Sequence, residues 1–223
     1  LAGCHLKCYF CHTNFENGTK KYVSTDIIPE IALKALTGKR YATALVVITG
    51  GEPLRQNILP LCKELAALEF TVQIETSGTY WVDGLENLVL TGAVQIVCSP
   101  KTGTVNPMIE LYCRYWKYLI REGENSEIDG LPIWSTQVAG QKQELYRPKF
   151  TGLRDTIWLQ PCEAYQIEPL QERLESGLPY DQYVTNSMKD EQQTLRNMKE
   201  AARIAMEFNY RLTLQTHKLL GLP

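Results

Sequence analysis

Three cysteines crowd into eight residues, Cys4-His5-Leu6-Lys7-Cys8-Tyr9-Phe10-Cys11, in the spacing Cys-x3-Cys-x2-Cys. A loop this short can wrap three thiolates around one inorganic centre. Two centres suit them. One is a tetrahedral zinc ion with His5 or His12 as the fourth ligand. The other is a [4Fe-4S] cluster held by three thiolates, which leaves one iron open to a cofactor or substrate. The remaining cysteines, Cys62, Cys98, Cys113 and Cys162, stand singly and read as small buried hydrophobes. Seven cysteines is an odd count for a disulfide framework, so the chain reads as one of a reducing cytoplasm.

The elements that must position this loop follow from periodicity. Thr25–Glu30 has the capping side chain and early proline of a helix start, and the helix stops near Gly38. Ala44–Thr49 is a continuous apolar run of the kind found in a strand buried on both faces, and Gly50-Gly51 closes it. Asn57–Leu68 has helical spacing through Ile58, Leu61, Leu65 and Leu68. Strands are expected at Thr71–Glu75, Ala93–Cys98, Tyr115–Ile120, Thr156–Gln160 and Arg211–Leu214. The strongest helix is Met188–Phe208, with Leu195, Met198, Ala202, Ala205 and Phe208 as its core stripe. Strands alternating with helices imply βα units and a mostly parallel sheet. Glu122–Arg154 reads as a polar insertion and Tyr180–Asn186 as a second loop.

Polar clusters fall just after strands: Gly50-Gly51-Glu52-Pro53, Glu75-Thr76-Ser77-Gly78, Ser99-Pro100-Lys101, Gln160-Pro161-Cys162-Glu163 and Gln215-Thr216-His217-Lys218. In a complete or partial βα barrel these ends share one rim, where active sites are built. Gly-Gly-Glu-Pro alone is either a turn or a place where two glycines admit a ligand while Glu52 faces an amine. The 223 residues carry 23 basic and 25 acidic side chains, for a net charge of −2. That balance, without a basic run, argues against nucleic-acid or membrane-surface binding through bulk charge. No apolar run is long enough to span a bilayer.

Cys-x3-Cys-x2-Cys followed by Gly-Gly-Glu-Pro resembles the radical S-adenosylmethionine (SAM) superfamily. Cys11-His12-Thr13, Ile48–Pro53, Gln73–Thr79, Ser99-Pro100-Lys101 and Gln215–Lys218 stand in the order seen in the 7-carboxy-7-deazaguanine synthase family. The resemblance covers Leu1 to Pro223, weakly through Glu122–Tyr183. It implies a single domain over residues 1–223, an α/β partial TIM-type βα barrel lacking its N-terminal strand, with the cluster loop at 1–15.

The implied reaction is contraction of 6-carboxy-5,6,7,8-tetrahydropterin to 7-carboxy-7-deazaguanine with loss of ammonia, in queuosine-type deazapurine biosynthesis. The implied cofactors are a [4Fe-4S] cluster on Cys4, Cys8 and Cys11, SAM, and Mg2+ on Thr13. Carried over by position, Phe10, His12, Gly51, Glu52, Ser99, Lys101, Gln160 and Glu163 meet SAM, while Thr49 and the carboxylate of Pro223 meet the pterin. Glu75 and His217 are rim residues, His217 being equally readable as a packed histidine; the lesser alternative for Thr13 is a plain loop hydroxyl. Tyr112, Tyr115, Trp116 and Tyr118 read as core or interface aromatics. The resemblance also implies a homodimer and a flavodoxin- or ferredoxin-like electron donor.

The chain departs from the family's pattern in three respects. His12 replaces the usual Asp before the threonine, Glu122–Arg154 is long and polar, and a Gln-Gly-Glu-Gly stretch and an Arg expected before Leu-x-Gly-Cys are absent. Leu1 therefore reads as a cut. Two other readings share the cysteines: a glycyl-radical activase acting on a protein, and a non-catalytic metal-binding module.

Overall fold

The computed structural model describes residues 1, 3–11, 27–36, 44–137, 143–149, 156–165 and 189–215. Six strands form one sheet in the order β1-β2-β3-β4-β5-β6, and every neighbouring pair is parallel. The strands are β1 (Ala44–Ile48), β2 (Phe70–Thr76), β3 (Val94–Cys98), β4 (Tyr115–Ile120), β5 (Ile157–Pro161) and β6 (Arg211–Leu212). The helices are α1 (Ile27–Leu36), α2 (Leu59–Ala67), α3 (Leu85–Leu90), α4 (Pro107–Tyr112) and α5 (Glu191–Phe208). Among the described residues the sheet is open, with β1 and β6 at its edges, so the fold is an α/β partial barrel.

The central strands divide their residues between two environments. On β2, Phe70, Val72, Ile74 and Thr76 are buried, while Thr71, Gln73 and Glu75 alternate with them on the other face. The buried face continues through Val94, Ile96 and Cys98 of β3 and Trp116, Tyr118 and Ile120 of β4. Helices α2, α3 and α4 pack on β2 and β3, and α5 packs on β4, β5 and β6. The opposite face is polar and looks into a cavity. The four single cysteines, Cys62, Cys98, Cys113 and Cys162, are buried as expected.

Three expectations from the sequence are corrected. The strand β1 is not buried on both faces, since Leu45 is 55% and Val47 45% exposed. The buried stripe of α5 is Asn197, Ala201 and Ile204, rotated from the apolar reading, and Leu195 is 51% exposed. A polar residue anchors this stripe: Asn197 donates to the Cys162 carbonyl (2.8 Å) and accepts from the Glu122 amide (3.0 Å). The expected insertion is a built wall in its described part. Ile133 N–H donates to the Glu124 carbonyl and Leu145 N–H to the Ile133 carbonyl, while Arg147 pairs with Asp129 at 2.7 Å. The loop expected at Tyr180–Asn186 lies outside the described residues.

That wall meets α5 at Gly130, where φ is +71° and an added Cβ would stand 2.4 Å from Ile204 Cγ2 and 2.7 Å from Phe208 Cδ2. Gly130→Ala therefore combines left-handed strain with overpacking of a buried isoleucine, and should destabilise the protein by about 2–4 kcal/mol. A loss of unfolding free energy below about 1 kcal/mol by urea denaturation would contradict the packing described.

Candidate active site

The cavity on the polar face holds about 800 Å³, within the ~300–1,000 Å³ of ordinary small-molecule sites. At one end it is lined by Cys4, Cys8, Cys11 and Phe10, and at its rim by Thr49, Gly50, Gly51, Glu52, Ser99, Lys101 and Gln160. Strand alternation builds its floor. Gln73 and Glu75 come from β2, Gln95 and Val97 from β3, Tyr115, Lys117 and Leu119 from β4, Trp158 from β5 and Arg211 from β6. Lys117 and Glu75 form an ion pair at 2.9 Å inside the cavity. Arg211 lies over the Trp158 ring, 5.2 Å from its centre.

The two glycines after β1 serve the chain itself. A Cβ on Gly51 would stand 2.0 Å from the Gly3 carbonyl oxygen, and one on Gly50 would stand 2.1 Å from that of Leu1. Side chains are excluded because the backbone leading to Cys4 lies directly against this edge. Gly51 N–H donates to Leu1 C=O (2.9 Å) and Glu52 N–H to Gly3 C=O (3.0 Å). The cluster loop is thereby tied to the Gly-Gly-Glu-Pro edge as if to an extra strand.

Glu52 is 1% exposed, and its carboxylate meets four donors. Oε1 accepts from Thr76 Oγ1 (2.6 Å) and Leu54 N–H (3.1 Å), and Oε2 accepts from Ser77 N–H (2.8 Å) and the Ser77 hydroxyl. Four donors match the lone-pair capacity of a carboxylate. Glu52 thus clamps the end of β2 to the edge after β1, and caps the short 3-10 turn Pro53–Arg55.

Lys101 Nζ donates to Ser99 O (2.7 Å) and to Ser99 Oγ. Burial holds its ammonium below the ordinary lysine range, opposed by the neighbouring Cys8 thiol. Burial raises the Cys8 thiol, while Lys101, Thr136 and Gln137 lower it; burial also raises Cys4, against a hydrogen bond from Leu6 N–H.

The structure brings together Cys4, Cys8, Cys11, Phe10, Thr49, Gly51, Glu52, Glu75, Ser99, Lys101 and Gln160. It leaves Glu163 off the cavity lining, where its carboxylate pairs with Lys189 (2.8 Å) and accepts from Tyr165 OH (2.8 Å). His12, Thr13, His217 and Pro223 lie outside the described residues. Of the four aromatics read as packing, Trp116 and Tyr118 are buried in the core and Tyr112 stacks on Trp81, but Tyr115 lines the cavity. Sequence reasoning passed over Gln73, Gln95, Lys117, Trp158 and Arg211. The available signal was a polar residue facing away from the core at Gln73 on β2, Gln95 on β3 and Lys117 on β4.

The model of the radical SAM superfamily matches residues 1–122. A 7-carboxy-7-deazaguanine synthase of Rhodospirillum rubrum is 36% identical over 98% of this chain and 80% of its own length. One of Rickettsia prowazekii is 35% identical over 100% of this chain and 78% of its own. The chain belongs to the radical SAM superfamily, in the 7-carboxy-7-deazaguanine synthase family. A crystal structure of QueE from Escherichia coli covers 96% of this chain and 82% of its own at 21% identity, with a TM-score of 0.49. The assignment rests on the sequences.

A radical SAM protein works with a [4Fe-4S] cluster and SAM, and the residues present fit both. Three cysteines line one end of a single cavity, and N–H and O–H donors already point at two of their sulfurs, Leu6 N–H at Cys4 and Thr136 and Gln137 at Cys8. His5 is committed elsewhere: its Nε2 is 3.0 Å from Thr79 Oγ1 and its ring packs edge-on against Tyr80. Among the described residues, no three metal-ligating side chains converge as a single ion requires. A cluster instead takes each thiolate on a separate corner iron. Ligand thiols must lose their protons to bind iron. Because burial raises Cys4 and Cys8, more of each is protonated at neutral pH than in a free thiol. Anaerobic cluster loading followed at ~400 nm should therefore be faster at pH 8.5 than at pH 7; equal rates would show that deprotonation is not limiting.

Proposed function

We propose that this radical SAM protein converts 6-carboxy-5,6,7,8-tetrahydropterin to 7-carboxy-7-deazaguanine with loss of ammonia, a step of queuosine-type deazapurine biosynthesis. The observation that carries this reading is the continuity of the cavity. The cysteine end, the Gly-Gly-Glu-Pro edge and the polar floor share one space, in a chain 36% identical to a synthase of that name. When bound, the cluster and SAM supply a carbon-centred radical that takes hydrogen from the substrate.

The chain's own residues place and hold the reactants. Cys4, Cys8 and Cys11 would hold the cluster. Phe10, Gly51, Ser99, Lys101 and Gln160 would surround SAM, with His12 adjoining them in sequence. Since the chain's own donors occupy Glu52, the amino group of SAM would reach that carboxylate only by sharing it with Ser77. Gln73, Gln95 and the Glu75–Lys117 pair offer donors and acceptors for the edges of a pterin, in the cavity that Thr49 also lines. Lys117 and Arg211 supply positive charge for its carboxylate. Segment 122–137 reaches the cysteine end through Thr136 and Gln137, both within hydrogen-bond distance of Cys8 Sγ.

Reduced, cluster-loaded protein incubated anaerobically with SAM and the carboxytetrahydropterin should yield 7-carboxy-7-deazaguanine by mass spectrometry. Cleavage of SAM without that product would overturn the substrate while keeping the radical chemistry.

A Mg2+ ion on Thr13 belongs to the same reading, a hard ion suiting a lone hydroxyl plus substrate oxygens. Thr13→Ala should raise the Mg2+ concentration for half-maximal rate by about tenfold, and an identical metal titration would reject Thr13 as a ligand. We also propose a flavodoxin- or ferredoxin-like electron donor, a homodimer and a cytoplasmic setting, following the family resemblance. No helix among the described residues is long and apolar enough to cross a membrane.

A further inference from the structure

The segment after β4 closes over the cysteine end. An antiparallel bridge pairs Cys8 with Gln137, Tyr9 N–H donates to the Thr136 carbonyl (3.1 Å), and Thr136 N–H donates to the Lys101 carbonyl (3.0 Å). This frame aims two side chains at one sulfur. The Thr136 hydroxyl lies 3.1 Å from Cys8 Sγ and Gln137 Nε2 lies 3.3 Å from it.

The orientation of the Gln137 amide is fixed, because its Oε1 accepts from Lys7 N–H at 3.1 Å. Its N–H2 end donates to the sulfur and, more distantly at 3.5 Å, to Thr136 Oγ1. The Thr136 hydroxyl also stands 3.3 Å from the Lys101 carbonyl. A charged thiolate is the stronger acceptor and here the nearer one, so the proton goes to sulfur. Thr136 and Cys8 are both 7% exposed, which keeps bulk water from replacing these donors. Cys4 takes a backbone N–H, from Leu6 at 3.4 Å, which no side-chain change removes.

We propose that Thr136 and Gln137 are positioning residues for electron entry, whose hydrogen bonds to Cys8 Sγ hold the cluster's reduction potential above that of bare thiolate ligation. The proposal rests on the reading that Cys4, Cys8 and Cys11 hold a [4Fe-4S] cluster. One electron from a low-potential reductant enters the cluster, no bond breaks and no proton moves. The added charge falls partly on the ligand sulfurs, so donors to sulfur stabilise the reduced state more than the oxidised one.

The test is an EPR-monitored redox titration, with dithionite as reductant, of reconstituted wild-type protein and of Thr136→Ser, Thr136→Val, Gln137→Met and Thr136→Val/Gln137→Met, each assayed for iron and sulfide. At the wild-type midpoint each apolar single variant should show a reduced-to-oxidised ratio about threefold lower, and the double variant about tenfold lower, a shift of about −59 mV for one electron. Thr136→Ser should titrate like the wild type.

A wild-type midpoint in a fully loaded double variant overturns the proposal, as does a Thr136→Ser shift as large as that of Thr136→Val. If Thr136→Val does not load, Gln137→Met decides alone on the same criterion. Failure of both to load while retaining native circular dichroism would make the pair a cluster-retaining element, and would also overturn it. Absence of a reduced [4Fe-4S] signal in the wild type sinks the parent reading instead, so the two failures are distinguishable.

Discussion

Changing Cys8, a proposed cluster ligand, to Ala should strip the protein of an iron–sulfur chromophore near ~400 nm and of SAM cleavage, with activity falling by on the order of 10³-fold or more, because the lost group would perform the chemistry. The size of the effect follows from position. Cys8 is buried, central in the Cys-x3-Cys-x2-Cys loop, and the acceptor for Thr136 and Gln137. Alanine removes a ligand and also leaves two donors facing an apolar methyl. Iron and sulfide analysis checks this directly, and unchanged iron content would contradict it. Cys62→Ala is the matched control. Cys62 is fully buried and burial pushes its thiol up to about 12, so it stays neutral and takes no part in ligation. Its replacement should leave iron content intact.

Glu52→Ala should cost about 3–5 kcal/mol of apo-protein stability, the scale on which a buried charge network fails when one partner is removed. Thr76 Oγ1, Ser77 N–H, Ser77 Oγ and Leu54 N–H all lose their acceptor together. Glu52→Gln keeps the shape but turns an N–H2 toward donors, and should cost about 1.5–3 kcal/mol. Urea denaturation of cluster-free protein separates this loss from any loss of iron. A change below about 1 kcal/mol for Glu52→Ala would mean that the clamp between β1 and β2 carries little of the fold.

Much of this was legible in the sequence because it depends on short-range pattern. Val72, Ile74, Val94 and Ile96 announce buried strands by their type, whereas the apolar run of β1 hides that Leu45 and Val47 are exposed, and the polar residues just after these strands gather on one rim as a parallel sheet requires. What stayed hidden depends on long-range placement. Asn197 reads as a surface residue of α5, yet partners at Cys162 and Glu122 bury it. Thr136 and Gln137 sit in a polar stretch with no periodicity, 128 and 129 residues from the sulfur they meet. Glu163 follows a strand like the other rim residues, but Lys189 and Tyr165 draw its carboxylate away. Gly50 and Gly51 were legible as a close-approach pair. That the approaching group is the backbone at Leu1 and Gly3 became visible only in three dimensions.

The ladder between Leu1, Gly3 and the Gly50–Glu52 edge has a thermodynamic consequence. Segments joined by backbone hydrogen bonds open and close as one cooperative unit. The cysteine loop and the edge after β1 therefore share a single local opening free energy, and Glu52 extends that unit to the end of β2. Whatever the proposed iron ligation contributes at Cys4 would be felt by amides at Gly51, Glu52 and Ser77. Oxidative destruction of the inorganic centre would then loosen the Gly50–Glu52 rim as well, and occupancy of that rim by the proposed SAM would in turn protect the centre.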